Sequence, residues 1–179
     1  MKKILALGGS NSKTSINKKF ATYVANQLEN VEVIVTDLND LDLPLYSPDL
    51  EAEKGCPDSL VQFYELIKSM DGIVLSLAEY NGNQTAAFKN LWDWLSRVDE
   101  MKFWREKPML LMAASPGGRG GASVLKITSE LLPFFGGNMI ASFSLPLFHS
   151  NFSEDGIKDE ALNNDLKTKI TLLQNAITK

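Results

Sequence analysis

Three short stretches carry residues whose types and spacing can hold a phosphorylated, flat ligand. The first to stand out is Ser115-Pro116-Gly117-Gly118-Arg119-Gly120-Gly121. Four glycines at one junction strip away side-chain bulk, so bare backbone can approach a ligand and its N–H groups can donate. Arg119, the one cation among them, can pair with an anion or extend into solvent. The second stretch is Gly8-Gly9-Ser10-Asn11-Ser12-Lys13-Thr14-Ser15-Ile16-Asn17. Ser10, Ser12, Thr14, Ser15 and Asn17 supply neutral polar groups where a helix begins, and helix N-termini bind phosphate through unpaired N–H groups and the helix dipole. One such residue suffices to cap a helix; the surplus favours a phosphate. Lys13 can add a charge or point to water. Neither a Walker A loop nor Gly-x-Gly-x-x-Gly is present. The third stretch is Ala78-Glu79-Tyr80-Asn81-Gly82-Asn83, where Asn81-Gly82 signals a tight turn and Tyr80 offers an aromatic face. Glu79 either orients this loop through a salt link or stands exposed.

The elements around these stretches alternate. Lys3–Leu7, Val31–Thr36, Gly72–Leu77, Met109–Ala113 and Met139–Leu145 read as strands. Helical spacing of apolar residues predicts helices over 15–29, 57–69, 84–98, 122–132 and 160–177, with a long loop over 37–56. Strands each separated by a helix imply a doubly wound parallel sheet covered on both faces, a three-layer α/β/α architecture. Five strands favour the flavodoxin-like order 2-1-3-4-5 within one domain spanning 1–179. Ligands in such sheets sit beyond the carboxyl ends of the strands where the order reverses, here between strands 1 and 3. The loops after strands 1, 3 and 4 are the three stretches above. Together they give a phosphate grip, a reader of a ring edge and a backbone wall, and the ligand that fits is FMN.

Bulk properties narrow the classes. The chain has 179 residues, 44% hydrophobic and 22% charged, which suits a soluble globular protein. A net charge of −4 with interspersed signs argues against nucleic acid and against a membrane surface. The single cysteine, Cys56, excludes an internal disulfide and suits a reducing cytoplasm. The only histidine, His149, reads as a loop residue, and no cluster has metal-ligand spacing, so no metal is expected. Trp94 falls off the apolar stripe of its helix and Trp104 sits in a polar stretch, so either can anchor an interface. Asp37, at the end of strand 2, offers a carboxylate to a ribose, as a dinucleotide-first dehydrogenase requires, but the glycine fingerprint is missing.

These residues resemble the NADPH-dependent FMN reductase family of flavodoxin-like fold. Gly9, Ser10, Ser15 and Asn17 match the family's first loop. Glu79-Tyr80-Asn81-Gly82 and Lys89-Asn90-Leu91-Trp92-Asp93-Trp94 match its second motif, the 115–121 run its third, and Asp42-Leu43-Pro44-Leu45-Tyr46 its loop after strand 2. Three departures stand out: Ser12 replaces the phosphate-binding arginine, Ala78 a proline, and Thr85-Ala86 a Pro-Gly pair. Without the arginine a bidentate grip on phosphate is lost.

The resemblance implies hydride transfer from NAD(P)H to bound FMN and on to a small acceptor: quinone, azo compound, metal oxyanion or free flavin. It also implies a homodimer or homotetramer, and no essential acid–base triad is expected. The candidate cofactor-binding residues are Ser10, Ser12, Ser15, Ile16 and Asn17, then Ala78, Glu79, Tyr80, Asn81 and Gly82, then Ser115, Gly117 and Gly118. The competing readings are a flavodoxin-like electron carrier and a flavin-free binding protein with a degenerate phosphate loop.

Overall fold

The computed structural model describes residues 1–98 and 101–178. Its main sheet has five parallel strands: β1 (Lys2–Gly9), β2 (Val31–Thr36), β3 (Gly72–Leu77), β4 (Pro108–Ala114) and β5 (Asn138–Leu145). Their order is β2-β1-β3-β4-β5, the flavodoxin-like arrangement expected from the alternating pattern. Two short antiparallel hairpins stand apart from it, one pairing Glu79–Tyr80 with Asn83–Gln84 and one pairing Phe152–Ser153 with Gly156–Ile157. The longer helices are α1 (Ile16–Ala25), α2 (Pro48–Lys54), α3 (Asp58–Ser69), α4 (Ala86–Leu95), α5 (Ala122–Leu131) and α6 (Glu160–Thr178).

Alternation along the strands builds two cores. Leu5, Leu7, Ile73, Leu75, Met109 and Leu111 face one side, against α3, α4 and α5. Ile4, Ala6, Val74, Leu110 and Met112 face the other, against α1 and α6. The central strands are buried on both faces, which explains their unbroken apolar runs. Register then fixes where the loops emerge: Gly9 lies beside Leu77, and Leu77 beside Ala113. The three loops therefore leave the same edge of the sheet.

Several boundaries differ from the pattern-based expectation. The predicted loop over 37–56 contains helix α2. Its end signals are clear, with Ser47 accepting from the Leu50 N–H, Pro48 at the first turn and Lys54 at the last. It buries no residue, so it lacks the apolar stripe that periodicity detects. The helix expected from residue 84 starts at Ala86, because Asn81 and Gly82 adopt left-handed backbone and fold 79–84 into a hairpin. The helix expected to run to residue 29 stops at Ala25.

Trp94 and Trp104 are not interface anchors; both are fully buried. Trp104 and Phe103 fold inward onto Trp92, whose ring also meets Phe135 edge-on at 5.1 Å. An aromatic pair among charged neighbours reads as a polar loop until the chain folds back over it. Trp94 donates its indole N–H to the Pro44 carbonyl at 2.8 Å and packs edge-on against Tyr46.

Candidate active site

The first loop is built around the start of α1. Ser15 caps the helix, its Oγ accepting from the Lys18 N–H at 3.1 Å, and is itself buried. The N–H groups of Ile16 and Asn17, the first two of the helix, have no acceptor among the described residues. They are free for an anion. The Ser12 hydroxyl is engaged locally, 3.3 Å from the Thr14 hydroxyl and accepting from the Thr14 N–H. Lys13 is exposed and does not line the cleft between the loops.

Asn17 has a different role from its neighbours. Its Oδ1 accepts from the Ser76 hydroxyl (2.7 Å) and the Ala114 N–H (2.8 Å), and its Nδ2 donates to the Ala114 carbonyl (3.0 Å). One buried amide thus ties α1 to the carboxyl ends of β3 and β4. Asn17 borders the cleft, and its side chain acts by holding the three loops together.

The second loop is the 79–84 hairpin. Tyr80 is 53% exposed, which leaves a ring face available. Glu79 makes no salt link among the described residues; its Oε2 accepts from the Val124 N–H at 3.0 Å, inside the first turn of α5. A carboxylate there satisfies an orphan donor and complements the helix dipole. Replacing Glu79 by Ala is expected to lower stability by about 1 kcal/mol, read as a shift in denaturant midpoint. An unshifted midpoint would refute the capping role. Thr85, where the family has proline, caps α4 and donates to the Gly9 carbonyl at 3.0 Å. That departure joins the second loop to the first.

The glycines of the third loop divide into two pairs. Gly120 and Gly121 have positive φ (59° and 75°), and a Cβ at either would meet Ser144 or Ala113. Packing demands them. Gly117 and Gly118 are exposed, and a Cβ on either would have nothing within 4 Å. Arg119 donates to the Ser123 hydroxyl at 2.7 Å, along its own helix start.

A cleft of about 190 Å³ opens where the loops converge. Ser10, Ser12, Ser15, Ile16 and Asn17 line one side, Ala78, Glu79 and Tyr80 another, and Ser115 a third. Asn81 and Gly82 lie at the hairpin tip and Gly117 and Gly118 are exposed; none of these four lines the cleft. The wall of the third loop is instead Ala114, Ser115 and Pro116. Thr14 also lines the cleft, as its place in the hydroxyl run suggests.

The loop after β2 is pinned beside this site. The Asn90 side chain accepts from the Tyr46 N–H (2.9 Å) and donates to the Pro44 carbonyl (3.0 Å). Glu51 accepts from the Tyr46 hydroxyl and receives Arg97, which holds its carboxyl below the usual range. A larger depression of about 400 Å³, bordered by Asn11, Leu41, Asn90 and Leu91, lies on this side of the first loop.

Asp37 is not free for a ribose. It accepts from the Lys18 ammonium and from Asn39, and the Lys18 bond holds its carboxyl below the ordinary value. A depressed carboxyl contributes stability that is present above the unfolded value, near 3.8, and lost as pH falls through the folded one. Asp37→Asn is therefore expected to flatten the decline in melting temperature between neutral pH and about pH 3. An unchanged decline would contradict the linkage.

At the switch point of a flavodoxin-like sheet, free N–H groups at a helix start, an exposed aromatic hairpin and the end of β4 converge, an arrangement suited to a phosphorylated flat ligand. The sequence matches the model of the family described as NADPH-dependent FMN reductase over residues 2–150, and the chain belongs to that family. It is 33% identical over 135 residues to a quinone reductase of Escherichia coli, covering 73% of this chain and 69% of that one. It is 33% identical over 123 residues to an NADPH azoreductase of Bacillus sp., covering 69% of this chain and 64% of that one. The structure superposes on FerB, a flavoenzyme NAD(P)H:(acceptor) oxidoreductase from Paracoccus denitrificans, with a TM-score of 0.79 and 25% identity, covering 99% and 98% of the two chains. The protein is thus an oxidoreductase that employs FMN with NAD(P)H as electron donor. Among the described residues no helix is long and apolar enough to cross a membrane.

Proposed function

We propose that the chain reduces quinones, using NAD(P)H and FMN held in the cleft between the 10–17, 78–80 and 114–116 segments. The observation that carries this reading is the pair of unpartnered N–H groups at Ile16 and Asn17, opening into that cleft. They suit the FMN phosphate, flanked by Ser10, Ser12 and Ser15. Tyr80 and the backbone of Ala78 and Ser115 then border the ring. FMN, when bound, supplies the ring that accepts a hydride and passes electrons on. The chain's part is to orient the ring, hold donors near its edge and leave one face open to the nicotinamide. Quinone as the acceptor is supported by the quinone reductase of Escherichia coli and the NADPH:quinone oxidoreductase of Arabidopsis thaliana, 31% identical over 125 residues.

With Ser12 in the arginine's place and its hydroxyl engaged by Thr14, the phosphate is held mainly by neutral donors. FMN therefore binds reversibly and more weakly than an arginine-bearing loop would allow. The assembly is a homodimer or homotetramer within the cytoplasm. Leu45, 82% exposed beside Pro44, and the open face of Tyr80 fit a boundary between copies.

The test is anaerobic mixing of FMN-loaded protein with NADPH, then NADH, followed by a benzoquinone. Bleaching of the flavin absorbance and its return on adding quinone are expected. Flavin that neither nucleotide bleaches would end the reductase reading; flavin that bleaches but is not reoxidised by quinone would end the choice of acceptor.

A further inference from the structure

The aromatic ring that borders the cleft is not held by contacts of its own. Tyr80 is exposed, and its hydroxyl and ring have no partner among the described residues. Its place is therefore set by the seat of the 79–84 hairpin. That hairpin has two residues per strand, pairing Glu79 with Gln84 and Tyr80 with Asn83. A two-stranded unit this small is marginal by itself. Its tip is free: Asn81 and Gly82 have positive φ (53° and 78°), and a Cβ on Gly82 would meet nothing within 4 Å. Its base is gripped. Glu79 and Gln84 stand opposite each other, and both side chains reach α5. Glu79 accepts from the Val124 N–H, and one turn further along the helix the Gln84 Nε2 donates to the Thr128 hydroxyl at 3.0 Å. Gln84 is buried, and Thr128 completely so.

A buried amide and a buried hydroxyl matched to each other allow little slack, because parting them leaves both without partners. A single bond from Glu79 leaves the hairpin free to pivot about the start of α5. The second bond, a turn away, removes that freedom. Neither Gln84 nor Thr128 lines the cleft. We infer that Gln84, through its bond to Thr128, is the positioning residue that sets Tyr80 against the flavin ring. The inference rests on the cleft being the flavin site, and it gives the placement of the ring's aromatic neighbour to a pair of residues outside that site. Because α5 begins where the 115–121 run ends, the same bond fixes the second loop relative to the third.

The experiment compares Thr128→Val and Gln84→Met, which nearly keep shape and lose the bond, with Thr128→Ser, which keeps it. Tyr80→Leu gives the reference for a lost ring, and Thr168→Val on α6 the reference for a helix threonine away from the hairpin. Each FMN-loaded protein is measured for the fluorescence of bound flavin and for kcat and KM with NADPH and a benzoquinone. Thr128→Val and Gln84→Met are expected to shift the fluorescence toward that of Tyr80→Leu. Their kcat is expected to fall about tenfold without a raised KM, since a shift of about 1 Å spoils the attack geometry. Thr128→Ser and Thr168→Val are expected to match the unaltered protein. Fluorescence and kcat that change in Tyr80→Leu but in neither bond-breaking variant would overturn the inference, as would a loss that Thr128→Ser shares. A Tyr80→Leu protein that changes in neither readout strikes at the cleft as the flavin site instead. Hydrogen exchange of the 79–84 amides in flavin-free protein then still decides the seat: faster exchange in Thr128→Val is expected, and an unchanged rate would overturn it.

Discussion

Ser15→Asp is expected to weaken FMN binding by roughly 100-fold or more while leaving the fold intact. Aspartate caps helices as well as serine does, so α1 keeps its start. The new carboxylate sits where the free N–H groups of Ile16 and Asn17 emerge. Two charges about 5 Å apart at an effective dielectric near 20 repel by about 3 kcal/mol, and a doubly charged phosphate feels more. Each 1.4 kcal/mol is about tenfold in affinity. Ser15→Ala is the contrasting variant: it removes the cap at a cost of about 1 kcal/mol in stability and adds no repulsion. Fluorescence titration of FMN measures both. A Ser15→Asp protein whose affinity matches that of the unaltered one would place the phosphate elsewhere.

Asn17→Ala is expected to lower stability by about 3 kcal/mol, the cost of leaving a buried hydroxyl and backbone groups without partners. For a domain of this size that is a fall in melting temperature of roughly 6–12 °C. FMN affinity falls with it, because α1 and the ends of β3 and β4 lose their common tie. Asn17→Asp separates the causes. It can accept from Ser76 and the Ala114 N–H but has nothing to donate to the Ala114 carbonyl, and it buries a charge. It is expected to be no more stable than Asn17→Ala. A melting temperature unchanged in both variants would remove Asn17 from its bridging role.

The sheet was legible because its three central strands are buried and read as apolar runs between amphipathic helices, while the edge strand Val31–Thr36 is marked by its β-branched residues. That pattern, with the switch-point rule, was enough to choose the three loops that meet at one edge of the folded chain. What it left out follows from contacts that cross the sequence. Helix α2 has no apolar stripe, so only its capping residues announce it. Trp94 looks misplaced on its helix until Pro44, fifty residues earlier, is seen to accept its N–H. Glu79 reads as a loose acid because its partner, the Val124 N–H, lies forty-five residues on. Within the candidate site, spacing could mark Asn17 but not say that its amide is spent on protein partners from two strands. Glycine count likewise could not separate Gly120 and Gly121, which packing requires, from Gly117 and Gly118, which face open space.

The most direct test is a crystal structure of the protein soaked with FMN. The account predicts the phosphate on the N–H groups of Ile16 and Asn17, and the ring between the Tyr80 hairpin and Ser115. A flavin lodged in the depression beside Leu41 and Asn90, or along the Lys19 face of α1, would contradict it.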